Sequence, residues 1–163
     1  MITIRLAEKN DLPTLLEIYN DILINTTAIY SDQPHTLAMR TEWFETKQQQ
    51  GFPIYVAEYN GAVAGFATFG TFRAWPGYKH TVENSVYVAR EARGKGIAKT
   101  LMPYIIEAAK NMNMHVMVAG IDAENMASIQ LHEQFGFVEV AHFKEVGFKF
   151  DRWLDLKFLE LIL

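Results

Sequence analysis

The sequence predicts an α/β fold in which a mixed, largely antiparallel sheet is flanked by helices. Three observations carry that prediction. Strand and helix periodicities follow one another along the chain in the order β-α-α-β-β-β-α-β-α-β-β. An Asn60-Gly61 pair between two strand-forming runs is a strong hairpin signal and forces an antiparallel neighbour. Thr81 to Leu101 (TVENSVYVAREARGKGIAKTL) reads as a strand, a glycine turn and the opening of a helix, and the rest of the chain is organised around it.

The elements follow in order. Ile2, Ile4 and Leu6 alternate with Thr3 and Arg5, giving a first strand. Asn10 or Asp11 can cap the next helix, Pro13 suits its first turn, and Leu12, Leu15, Leu16, Tyr19, Ile22 and Leu23 form one apolar stripe. Asn25 to Pro34 reads as a loop with Ile29 and Tyr30 embedded in it, and Thr36 to Gln50 as a second helix. Ile54 to Glu58 and Ala62 to Phe69 are the arms of the hairpin, and Phe72 to Lys79 (FRAWPGYK) is an aromatic loop. Past the central strand and helix, whose Pro103 should kink it, Met114 to Ala119 reads as a buried strand. Asn125 to Phe135 is a short helix ended by Gly136. Phe137 to Val146 and Phe148 to Leu159 are expected as two strands parted at Gly147.

Composition sets the bounds. The chain has 163 residues, half of them hydrophobic and 21% charged, which suits one globular domain over residues 1–163. A net charge of −4 argues against a nucleic-acid-binding surface. The absence of cysteine removes disulfides, thiolate catalysis and cysteine-ligated zinc together. The N-terminal segment has no apolar core after Arg5 and Lys9, and no apolar run reaches the length of a membrane span, so a cytoplasmic protein is expected. No metal site is expected either.

The turn Arg93-Gly94-Lys95-Gly96 carries the chemistry. Two glycines at a strand-to-helix connection let the backbone approach a ligand closely, and the free N–H groups of the helix start favour an anion. Arg93, Lys95 and Lys99 add positive charge, so a phosphate-bearing ligand is expected. Walker A fails because both of its glycines are missing. The dinucleotide motif fails because its third glycine falls on Lys99. The pattern [QR]-x-x-G-x-[GA] is matched by Arg93, Gly96 and Ala98, directly after the strand Val86-Tyr87-Val88.

That segment resembles the acetyl-CoA pyrophosphate loop of the GNAT superfamily of N-acetyltransferases. With TVENSVYV before it, it resembles the phosphinothricin and methionine sulfoximine/sulfone acetyltransferase branch, over Ile2 to about Leu161. The resemblance implies acetyl-CoA as co-substrate, held by Val86, Tyr87, Val88, Arg93, Gly94, Lys95, Gly96, Ile97, Ala98 and Lys99. It also implies that the central strand splays from its neighbour, freeing the amides of Val86 and Val88 for the pantetheine arm and the acetyl carbonyl. On the last helix Asn125, Ser128 and His132 share one face. The bland reading there is an N-cap and a surface histidine. The resemblance instead makes Asn125 and Ser128 partners of the CoA arm and His132 a candidate general acid, where many relatives carry tyrosine.

Amine acetylation needs an unprotonated nucleophile, and a carboxylate beside the acetyl site can take its proton. A strand glutamate is more often simply solvated, but Glu83 matches the base position that the resemblance implies; His80 is the substitute, since its pKa suits the task. Arg73 in the aromatic loop suits bidentate contact with an amino-acid carboxylate. Ala74, Trp75, Glu83, Asn84 and Ser85 complete the expected acceptor site. Phe150 stands where phosphinothricin enzymes carry a histidine, so methionine sulfoximine or sulfone fits at least as well as phosphinothricin. The expectation is acetyl transfer from acetyl-CoA to the α-amine of a small amino-acid analogue, directly in a ternary complex of a homodimeric enzyme. Another small amine, a protein N-terminus, or a non-catalytic acyl-CoA-binding module are the alternatives.

Overall fold

The computed structural model describes residues 1–163. Its elements are β1 (Ile2–Leu6), α1 (Leu12–Asn25), α2 (Leu37–Gln50), β2 (Ile54–Tyr59), β3 (Ala62–Thr71), β4 (Thr81–Val88), α3 (Ile97–Asn111), β5 (Val116–Asp122), α4 (Met126–Gln134), β6 (Val138–Lys149) and β7 (Arg152–Ile162). The strands form one sheet in the order β1-β2-β3-β4-β5-β7-β6. Every neighbouring pair is antiparallel except β4 with β5. The predicted element order and the mixed, largely antiparallel sheet are both present.

The hairpin forms as its dipeptide dictates. Asn60 and Gly61 both have positive φ, 52° and 87°, and Tyr59 pairs with Ala62. Within β3, Ala64 to Phe69 are buried without alternation, so both faces of the sheet are covered. α1 packs with α2 over β3 and β4, and α3 packs on β2, β3 and β4. One core cluster of 26 buried residues joins Leu12, Leu15 and Ile22 of α1, Leu101, Met102 and Ile105 of α3, and Phe66 and Phe69 of β3. Each such side chain stabilises the fold by about 1.5–3 kcal/mol.

β4 is paired with β3 along its length, from Val82 opposite Thr71 to Val88 opposite Gly65. Its pairing with β5 covers only Thr81, Val82 and Glu83, opposite Val116, Met117 and Val118. Beyond Glu83 the two parallel strands part. This splay is the main thing the fold contributes to the site.

Three local expectations are corrected, and Pro103 lies inside α3 as expected. β6 does not end at Gly147 but runs to Lys149, and the turn is made by Phe150 and Asp151, with φ of 52° and 58°. Gly147 is a packing glycine: a Cβ there would lie 2.5 Å from the ring of Tyr30. β5 starts at Val116 rather than Met114 and continues to Asp122. Asp11 does not cap α1; its carboxylate accepts from the Arg5 guanidinium at 2.8 and 2.9 Å and from the Glu8 amide at 2.7 Å. No helix is long and apolar enough to cross a membrane.

Candidate active site

The turn after β4 has the backbone its glycines allow. Gly94 and Gly96 have φ of 75° and 82°, a region costly to other residues, and a Cβ at either would meet nothing within 4 Å. α3 begins at Ile97 with no side chain capping its first amides, which leaves those donors facing open space. That space belongs to a cavity of about 820 Å³. Arg93, Gly94, Gly96, Ile97, Ala98 and Lys99 form its basic wall, and Asn125 and Ser128 of α4 form the wall across from it. Lys95 is not part of the lining; its ammonium lies 5.0 Å from the ring centre of Tyr59.

Val86, Tyr87 and Val88 line the same cavity, which enters the sheet where β4 parts from β5. The Ala89 amide donates to the Ala64 carbonyl at 2.8 Å. Alternation along an antiparallel ladder therefore turns the amides of Val88 and Val86 away from β3, toward the opening. Side chains alternate too. Glu83, Ser85 and Tyr87 lie on one face of β4, and Asn84 on the other.

That alternation separates two residues expected to work together. Asn84 is buried beneath α4, its amide nitrogen 3.1 Å from Nε2 of His132 and 3.7 Å from Met117 Sδ. His132 is itself only 3% exposed, lies edge-on to Phe137, and does not line the cavity. Its Nδ1 is 2.7 Å from the Ser128 carbonyl, which can only accept. The ring proton therefore sits on Nδ1, and Nε2 accepts from Asn84. Burial also lowers the His132 pKa. His132, the candidate general acid, is held against Asn84 beneath α4 with its ring outside the cavity lining. Asn84, expected in the acceptor site, has its side chain packed in the core against His132 and Met117. Asn125 caps α4, its side chain accepting from the Ser128 amide at 3.2 Å, while still facing the cavity.

Glu83 is half-buried, and burial alone raises its pKa. Its Oε2 lies 3.2 Å from where a Cβ would stand at Gly120, beside the ring of Phe158. Tyr87 is pushed up to about 12, chiefly by burial. Arg73, Ala74 and Trp75 do not reach the main cavity. They line a separate hollow of about 190 Å³ with Tyr78 and Lys79. Its link to Glu83 is aromatic: Arg73 lies 5.6 Å from the Tyr78 ring, Tyr78 packs on Phe72, and Phe72 packs edge-on against Phe158. His80 is exposed, and so is Phe150, at the β6–β7 turn.

The structure adds residues that sequence reasoning missed. Thr26, Thr27 and Ala28, after α1, line the cavity together with Ile22 and Asp122. Asp122 is 3% exposed and accepts from the Thr27 and Tyr30 hydroxyls, both at 2.7 Å. Their only sequence signal was the pair of apolar residues, Ile29 and Tyr30, inside a polar loop. Arg40 of α2 is buried between Tyr19 and Trp43, its guanidinium carbon 4.1 and 4.0 Å from their ring centres. No group of three or more His, Asp or Glu side chains is placed to hold a metal ion.

A basic amide-rich turn at the mouth of a cavity that ends between splayed parallel strands defines a class. It is a domain built to hold a long, phosphate-bearing co-substrate and to present its far end inside the sheet. Residues 4–157 match the acetyltransferase (GNAT) domain model. The chain is 45% identical over 159 residues to the L-amino acid N-acyltransferase of Escherichia coli, covering 98% of this chain and 92% of that one. It is 48% identical over 160 residues to an L-methionine sulfoximine/L-methionine sulfone acetyltransferase of Pseudomonas aeruginosa, covering 98% and 93%. The crystal structure of a phosphinothricin acetyltransferase from Sinorhizobium meliloti in complex with acetyl-CoA superposes with a TM-score of 0.96 at 36% identity, over 99% of this chain and 88% of that one. The chain belongs to the GNAT family, and it is an acetyl-CoA-dependent N-acetyltransferase.

Proposed function

We propose that this enzyme acetylates the α-amine of a small amino-acid analogue of the methionine sulfoximine or methionine sulfone type. The observation that carries the reading is the splay after Glu83: it opens the sheet beside a half-buried carboxylate whose pKa burial raises, while the Val86 and Val88 amides face the gap. The names of the relatives support the acceptor class.

In this reading, acetyl-CoA supplies an activated thioester when bound. The turn amides and Arg93 hold its phosphates, Asn125 and Ser128 flank its arm, and Val86 and Val88 offer donors to the acyl oxygen. Glu83 takes a proton from the acceptor ammonium, directly or through water, so that the neutral amine can react. A C–N bond forms as the C–S bond breaks, the surplus proton on nitrogen passes to the departing sulfur directly or through water, and CoA leaves as the thiol. A ternary complex is supported by the absence of any cysteine to carry the acetyl group. Arg73, in its adjoining hollow, reads the acceptor carboxylate, with Ala74 and Trp75 beside it. A single domain working in the cytoplasm completes the reading.

The enzyme acts as a homodimer through its β6 side. β6 is an edge strand, and Val138, Val140, Phe143, Val146 and Phe148 are exposed along it. The reading is tested by a thiol-release screen of acetyl-CoA against amino acids, methionine sulfoximine, methionine sulfone, phosphinothricin and an N-terminal peptide. Turnover greatest with the sulfoximine or sulfone is expected. Peptide-only turnover would move the acceptor class to protein N-termini. CoA binding without thiol release from any acceptor would overturn the enzymatic role.

A further inference from the structure

Lys149, near the end of β6, is 6% exposed and forms no salt bridge, Asp32 acting on it only at a distance. It donates to three backbone carbonyls: Leu23, Thr26 at 2.6 Å and Ile29 at 2.8 Å. An ammonium has three N–H groups, so its donors are used up. The Leu23 carbonyl is one of those a helix leaves unpaired at its C-terminus, where a cation is also favoured by the helix dipole. Thr26 and Ile29 lie beyond the helix, so the same cation also fixes the course of the chain leaving α1.

Two further fastenings hold this segment. The Tyr30 hydroxyl lies 2.7 Å from Asp122 Oδ1 and 2.8 Å from the Asp155 carbonyl, and its ring takes the space left by Gly147, two residues before Lys149 on β6. The Thr27 hydroxyl donates to Asp122 Oδ2 at 2.7 Å. Between the fastenings run Thr26, Thr27 and Ala28, which with Ile22 and Asp122 make one wall of the cavity, beside those of the basic turn, α4 and β4.

We propose that Lys149, with Tyr30 beside it, is a positioning residue for the acceptor: it pins Thr26–Ala28 against Asp122 and so sets the wall that the incoming amine meets. The proposal rests on the transferase reading of this cavity. Lys149 has no donor left for substrate, so it acts only through the backbone it holds. The basic turn lies outside the clasp. Loosening the clasp therefore degrades acceptor recognition and leaves CoA anchoring in place.

The test uses the full chain and two variants. Lys149→Met keeps an unbranched apolar stem one atom shorter and leaves three carbonyls without their cation; Tyr30→Phe removes a single hydroxyl and keeps the ring packed on Gly147. Steady-state rates are measured with methionine sulfone as the varied acceptor at saturating acetyl-CoA, CoA affinity by calorimetry, and hydrogen exchange at the amides of residues 23–30. A rise of about tenfold or more in acceptor KM is expected for Lys149→Met, the scale of losing hydrogen bonds to a charged group. Tyr30→Phe should show a smaller rise, CoA affinity should stay within about threefold of wild type on the same scale, and exchange should be faster in residues 23–30 of both. Acceptor KM unchanged in both folded variants, or CoA affinity falling as far as acceptor KM rises, overturns the proposal. If Lys149→Met does not fold, Tyr30→Phe decides by the same criteria. If wild type turns over no acceptor, the transferase reading is what fails, and unchanged exchange at residues 23–30 would then overturn the clasp itself.

Discussion

Replacing Gly96 separates what the turn does for the fold from what it does for the ligand. Gly96 sits at φ 82°, ψ 9°, directly before α3, and no protein atom lies within 4 Å of a Cβ built there. Gly96→Val therefore creates no clash inside the protein. The cost is conformational, about 1–2 kcal/mol for a left-handed non-glycine residue and more for a β-branched one. A domain of this size typically has 5–15 kcal/mol in hand and loses about 2–4 °C of Tm per kcal/mol, so the variant should fold with Tm lowered by about 2–8 °C. The ligand loses more. The open space around Gly96 is part of the cavity, so the side chain occupies ground the phosphates need and displaces the amides of the α3 start. Each charge-assisted hydrogen bond lost there is worth about 1.5–3 kcal/mol, so Kd for acetyl-CoA should rise by about 10- to 150-fold for one bond and further for two. Calorimetry measures Kd, and a thermal melt confirms folding. Gly77→Ala, an exposed glycine of ordinary φ with the same empty surroundings, is the control. A folded Gly96→Val protein with wild-type affinity would refute the assignment of this turn to the phosphates.

Burial raises the Glu83 pKa, so kcat/KM should climb with pH along a limb lying above the usual carboxylate range, and Glu83→Gln should flatten that limb and lower kcat by about 10²–10⁴-fold. The same shift has a stability sign: the folded state holds the proton more tightly, so stability is lost as pH rises from the unfolded value through the raised one. Glu83→Gln should therefore raise Tm at pH 7 while lowering activity, and a variant with the wild-type pH profile would remove Glu83 from the mechanism. Arg73 is exposed, so Arg73→Ala should raise acceptor KM by about 1.5- to 5-fold, the range for an exposed ion pair, with Arg73→Lys only partly restoring it. Equal discrimination between methionine sulfone and its amide in wild type and Arg73→Ala would pass the role to Lys79. Val140→Glu and Phe148→Glu on the exposed side of β6 should shift sedimentation from dimer to monomer, and a wild-type monomer would refute the β6 interface.

Local chemistry made much of the protein legible in its sequence. Asn60-Gly61 can only be a tight turn because two successive positive φ values exclude most other pairs. Gly94 and Gly96 before an uncapped helix announce an anion site for the same kind of reason, and alternation put Val86 and Val88 on the correct strand. What eluded the sequence depends on residues far apart in the chain. The parting of β4 from β5 after Glu83 was implied only by the family resemblance, since it is a register fact between two strands that no spacing within either one encodes. Gly147 looks like a turn because glycine usually marks one; only the ring of Tyr30, more than a hundred residues earlier, shows that it is there for space. Helical spacing put His132 on one face with Asn125 and Ser128, but it could not tell that Asn84 would meet its Nε2 from the core. Lys149 gives no signal of its own in the sequence; its carbonyl partners at the end of α1 lie more than a hundred residues earlier. The sequence determined the elements, their order and the glycine turn before α3, because those follow from interactions a few residues long. The tertiary structure decided which side chains face the cavity, because burial and long-range pairing exist only once the sheet has closed.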